Sequence, residues 1–215
     1  MKHLLSAILS ISLCVFIPTS KATIVDNGIY TTDSITKLDW LDLTETVSLS
    51  YNYVTSQFGT GGIYNGFRYA TATEFTQLVY NATGASLDGF KVTMIPKELT
   101  EPLINLLGST YHSTAAAYGY TPHSYRDFTG GILSNIDQDG NHLAGRIGWD
   151  DKNPLTFNSA QVLNRTTFDG WSHGPGIGSY LVRPVPVPAA IWLMGSGLLG
   201  LIGYSRKIKS DFVAV

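Results

Sequence analysis

Apolar and polar positions alternate in three regimes along the chain. Behind Met1-Lys2-His3 runs a mainly apolar stretch, Leu4 to Ile17, closed by Pro18-Thr19-Ser20. It is shorter than the ~20 residues that span a bilayer. Ser20-Lys21-Ala22 places small residues three before and one before a cut after Ala22, so residues 1–22 are expected to be a secretory signal peptide. At the other end, Ala189 to Tyr204 lies in an uncharged stretch long enough to cross a bilayer as a helix, with Trp192 and Tyr204 near its two ends. Arg206, Lys207 and Lys209 follow, and the positive-inside rule keeps such a cluster in the cytoplasm. Pro186 and Pro188 stop a helix and hold the preceding backbone extended.

The middle, residues 23–184, has no internal repeat or heptad and reads as one domain. Thr23 to Tyr30 and Lys37 to Leu43 are expected as two strands joined by a Thr/Asp/Ser turn, with Leu38 and Trp40 on a mostly apolar face. Leu49 to Phe58 suits a short helix that ends at Gly59-Thr60-Gly61-Gly62. Phe67 to Ala70 is extended and feeds the capping box Thr71-Ala72-Thr73-Glu74, after which Phe75, Leu78 and Val79 share a helical face. Pro96 suits a first helical turn, and Leu99, Leu103, Leu106 and Leu107 make a stripe before Gly108. Beyond it, Gly131 to Ile136 and Leu143 to Trp149 are expected to pair across Asp137 to Asn141, and Ser179 to Val185 is a last strand. The fold class is therefore α+β: a single small domain of antiparallel strands with two short helices, between a signal peptide and a C-terminal transmembrane helix.

Charge sharpens this picture. The net charge is −2, yet Lys2, Lys21, Arg206, Lys207 and Lys209 all sit in the ends, leaving the middle with about six more acids than bases. No basic stripe exists to neutralise phosphates, so nucleic acid is not an expected partner. The single cysteine, Cys14, lies in the signal segment, so the mature chain has no disulfide, thiolate metal site or thiol nucleophile.

The order Val185-Pro186-Val187-Pro188-Ala189, apolar helix 189–204, then Arg206-Lys207, resembles the PEP-CTERM family of sorting signals over residues 185–209, in particular its Val-Pro-Leu-Pro-Ala variant. Val187 stands where the commonest form has Glu, and Asp211 to Val215 extend beyond the usual end. The resemblance implies export by a Gram-negative-type bacterium, transit through the inner membrane, and recognition by an exosortase-like processing enzyme. It also implies delivery to the cell surface or the extracellular matrix. Three pieces of the middle, Leu38 to Asp42, Gly66 to Phe75 and Gly178 to Arg183, also resemble C-type-lectin-like domains, without their cysteines or a calcium-sugar triplet.

Candidate chemistry in the middle is sparse. Asp137, Asp139 and Asn141 have the oxygen spacing of a calcium loop start, but His142 and Gly148 stand where a full loop wants Gly and Glu, so an Asp/Gly hairpin turn is the simpler reading. His112, His123, His142 and His173 show no ligand spacing, and no cofactor is expected. Trp149 and Trp171 are candidate glycan contacts or core residues at strand ends, and the Tyr111 to Tyr125 region combines rings with short polar groups. No catalytic constellation emerges. The expected function is a non-enzymatic surface or matrix protein, adhesive or associated with exopolysaccharide. The alternatives are a secreted hydrolase of matrix polysaccharide working through Asp150, Asp151 or Asp169, and a permanently membrane-anchored structural protein.

Overall fold

Asn27-Gly28 turns the chain sooner than the apolar pattern suggested. Gly28 takes φ +90°, its N–H donating to Asp26 Oδ1 at 2.8 Å, so the expected first strand is split into β1 (Ile24–Asp26) and β2 (Tyr30–Asp33). The computed structural model describes residues 24–114, 125–151, 158–163 and 176–186. Residues 1–22, the stretch 189–204 and, with them, Val187, Pro188, Ala189, Arg206, Lys207, Trp171, Asp169, His123 and His173 lie outside the described residues. The chain divides after Arg183 into two compact units.

The architecture is α+β, with mostly antiparallel sheets and few helices. One sheet has the order β1, β2, β3 (Leu38–Leu41), β11 (Leu181–Pro184), β4 (Arg68–Tyr69). The other runs β10 (Gly178–Ser179), β7 (Tyr125–Ile136), β8 (His142–Asp150), β9 (Ser159–Leu163), β5 (Thr93–Met94), with β6 (Tyr111–Thr114) also paired to β7. Only short β10 runs parallel to its neighbour β7 among the pairings described. The three segments Leu38–Leu41, Arg68–Tyr69 and Leu181–Pro184, far apart in sequence, are consecutive strands of one sheet.

Strand β3 is buried on both faces rather than alternating. Leu38 and Trp40 join the main core, Leu41 joins a second cluster with Val54, Tyr69 and Leu181, and Asp39 is covered as well. The Asp39 carboxylate accepts from the Thr32 hydroxyl at 2.6 Å and from Arg183 Nε at 3.1 Å, which satisfies the buried charge.

Three α-helices are described: α1 (Tyr51–Ser56), α2 (Ala72–Thr83) and α3 (Lys97–Leu107). The capping box at α2 forms as expected, with the Thr71 hydroxyl accepting from the Glu74 N–H and Glu74 accepting from the Thr71 N–H. Arg68 adds a bidentate pair to Glu74 at 2.9 and 2.6 Å. On α3 the expected stripe is rotated. Pro96 is the cap rather than a helical residue, and the buried positions are Thr100, Leu103, Ile104 and Leu107, while Leu99 is 41% exposed. The Thr100 hydroxyl donates back to the Pro96 and Lys97 carbonyls, which lets a polar residue take the inward position.

The hairpin β7–β8 is the spine of the second sheet. Gly131 faces Gly145 across it, and these two glycines leave a trough that Phe75, Leu43 and Tyr180 fill. A Cβ on Gly145 would stand 2.8 Å from the Phe75 ring, and one on Gly131 would stand 2.7 Å from Leu43 Cδ2. Packing α2 closely on the sheet therefore depends on an absence of side chain at this pair.

Candidate functional site

The turn that closes β7–β8 holds the residues with calcium-loop spacing. Asp137 Oδ1 accepts from the N–H groups of Asp139 and Asn141, each at 2.9 Å, and the Asp137 N–H donates to the Asn141 carbonyl at 2.8 Å. Gly140 takes φ +85°. One oxygen of the carboxylate is thus spent on the turn's own backbone, the Asx-turn arrangement that shapes many loops. Among the described residues no group of three His, Asp or Glu is placed to hold a metal ion.

Trp149 lies in the core, 6% exposed, and Lys97 Nζ from the first turn of α3 sits 3.6 Å from its ring centroid. With one ring face under an ammonium and the rest packed, Trp149 presents little surface to a sugar. Lys97 Nζ also donates to Asp151 Oδ1 at 2.9 Å, and this bond holds the lysine pKa above its usual value. Asp150 is buried and its N–H donates to Asn158 Oδ1 at 2.9 Å. Successive strand residues point to opposite faces, so Asp150 leaves β8 away from Trp149, whereas Asp151 is drawn to the Lys97 side.

Two cross-strand rows meet at the end of the sheet formed by β6, β7 and the end of β8. On one face Asp127 pairs with His112 and with Trp149. The Ser109 hydroxyl donates to Asp127 Oδ1, and Asp127 Oδ2 stands 3.7 Å from His112 Nδ1. The carboxylate, not the imidazole, lies between the other two groups. The order of a nucleophile–base–acid relay is therefore not met: the carboxylate accepts from the serine and lies near a largely exposed imidazole.

On the opposite face Tyr111 stacks on Phe128, with centroids 4.7 Å apart and planes at 17°, and the Arg146 guanidinium carbon lies 4.8 Å from the Phe128 centroid. Gly130 and Gly148, the cross-strand partners of Arg146 and Phe128, carry no side chain on this face, which leaves room for the ring and the guanidinium to meet diagonally. The result is a half-buried ladder of two stacked rings and a guanidinium. Tyr111 lies in a region that its ring content marks in the sequence. Phe128 and Arg146 carried no such signal, because only the register of β7 against β8 places them together.

No protein-family model, curated protein or solved structure matches the chain.

Proposed function

We propose that the chain is an exported surface or extracellular-matrix protein of a Gram-negative-type bacterium, sorted by an exosortase-like enzyme and associated with exopolysaccharide rather than catalytic. The carrying observation is the order along the tail: Val185-Pro186-Val187-Pro188-Ala189, the uncharged stretch to Tyr204, then Arg206 and Lys207. A proline-stiffened segment beside an apolar helix offers a membrane enzyme an extended backbone, and the basic cluster sets the helix orientation. Among the described residues no helix is long and apolar enough to cross a membrane, and the expected span at 189–204 lies beyond them.

The domain's part in this reading is adhesion, with the Tyr111–Phe128–Arg146 ladder as a contact face for an acidic polymer. A C-type-lectin-like fold is the finer reading. Its support is that the Trp40 strand, the Arg68-Tyr69 step into α2 and the closing Val182-Arg183 strand are sheet neighbours.

Two measurements test the proposal. Mass spectrometry of the chain recovered from the cell surface should give a C-terminus within or just after residues 185–189; an intact Val215 in the membrane fraction would leave a permanent anchor instead. Retention on the producing cell's exopolymer should fall in Arg146→Gln. A wild-type chain that no polymer retains would sink the adhesive role.

A further inference from the structure

A separate feature lies on the outer face of α2. Gly84 takes φ +75° and reverses the chain, its N–H donating to the Tyr80 carbonyl at 2.8 Å. The Thr83 hydroxyl donates to the Val79 carbonyl at 2.7 Å and accepts from the Ala85 N–H at 3.2 Å, which sends the next residues back along the helix. Leu87 packs against the core while Ser86 stays exposed. Between helix and returning chain lies an open groove of about 300 Å³ lined by Thr76, Gln77, Tyr80, Ser86 and Leu87.

The lining is organised. Gln77 Nε2 donates to Asn81 Oδ1 at 2.8 Å, and Asn81 Nδ2 donates to Asp33 Oδ2 at 2.7 Å. Asp33 is fully buried and its other oxygen accepts from the Ile35 N–H at 2.9 Å. This relay ties the Gln77 amide to the turn between β2 and β3, and the amide's carbonyl oxygen retains acceptor capacity. The Thr76 hydroxyl donates to the Thr73 carbonyl at 2.9 Å and likewise keeps lone pairs to accept with. Tyr80 is 50% exposed, so a large ring stands at the groove although it adds little to the core.

We infer that this groove is a subsite for one neutral sugar unit of a polysaccharide chain. The inference rests on the polysaccharide reading above and gives it a second site of different chemistry from the ladder. Sugar hydroxyls donate and accept at once, and so do the amide and hydroxyl groups here; the Tyr80 ring offers an apolar surface to the C–H face of a pyranose. Among the described residues, those that line the groove are all uncharged, which favours a neutral sugar over a uronate or an amino sugar. Its volume lies at the lower end of the roughly 300–1,000 Å³ of small-ligand sites, which suits a single ring of a longer chain.

The test is affinity chromatography of the full chain on immobilised dextran, starch and mannan, with alginate as the acidic polymer. Wild type should be retained on at least one neutral polymer. Tyr80→Ala should lower that affinity about tenfold and Gln77→Ala several-fold, with alginate retention and melting temperature unchanged. Variants retained on the neutral polymer as well as wild type would overturn the groove and leave the polysaccharide reading standing. Wild-type retention on alginate alone would overturn the neutral class. Retention on none of the four would overturn the groove, and retention on the producing cell's exopolymer decides the underlying reading separately.

Discussion

Replacing Gly145 with alanine adds one methyl group at the closest contact between α2 and the second sheet. The new Cβ would meet Cε2, Cδ2 and Cζ of Phe75 at 2.8, 2.9 and 2.9 Å. Carbon atoms prefer about 3.5–4.0 Å, so the ring must retreat by roughly 0.7 Å or the strand must yield. Phe75 is fully buried and its ring lies 4.9 Å from that of Tyr180, itself fully buried, so the displacement is passed on to a second packed ring. Overpacking of this kind costs about 1–3 kcal/mol. Loss of glycine's freedom in the unfolded chain returns about 0.4–1 kcal/mol, because Gly145 does not need a positive φ. The net expectation is a destabilisation centred on about 1.3 kcal/mol and at most about 2.6 kcal/mol, the central value being a fall in Tm of about 3–5 °C for a domain of this size. Urea melts followed by tryptophan fluorescence would measure it. Phe75→Leu makes room, so Gly145→Ala should cost at least about 1 kcal/mol less in that background than in wild type. Gly59→Ala, with open space around its Cβ and no positive φ, is the neutral control. Equal stability of Gly145→Ala and wild type, with strict additivity against Phe75→Leu, would refute the trough as a packing constraint.

Asp42 is partly buried near Asp26 and Glu45, and burial with these neighbours lifts its pKa to about 6. The native state then binds the proton more tightly than the unfolded chain, so stability declines as pH rises from about 4 to about 6. Asp42→Asn should leave the melting temperature unchanged near pH 3.5 and raise it above pH 6, an effect of at most about 1 kcal/mol once solvent screening is allowed for. Thr71→Ala removes the acceptor for the Glu74 N–H and should cost about 1 kcal/mol in denaturant melts. Asp39→Ala leaves Arg183 facing Tyr30 and Phe67 without its carboxylate, and thermal melts should show a loss of about 2–4 kcal/mol; a loss below 0.5 kcal/mol would mean the pair does not hold β11. A stop codon after Pro186 should leave the circular dichroism melt unchanged, whereas one after Tyr180 removes the buried Leu181 and Val182 from the middle of a sheet and should abolish the cooperative transition.

Local chemistry was legible along the chain wherever a few neighbouring residues hold one another. The Thr71–Glu74 capping box, the Gly108 stop after α3 and the Asp137 to Asn141 turn with its paired flanks all close through contacts within a handful of positions, so residue type and spacing suffice to place them. The inward face of α3 was not legible in this way. A stripe through Leu99 and one through Thr100 share Leu103 and Leu107, and the sheet beneath the helix selects between them. The insertion of β11 between β3 and β4, the Gly131–Gly145 trough and the meeting of Tyr111, Phe128 and Arg146 likewise depend on partners far away in the chain. The groove at Tyr80 needs the helix and its returning segment in place at once. Such features depend on strand register and on which faces end up covered, and a shift of one residue would turn every side chain of a strand to the other side, so sequence period alone leaves them open.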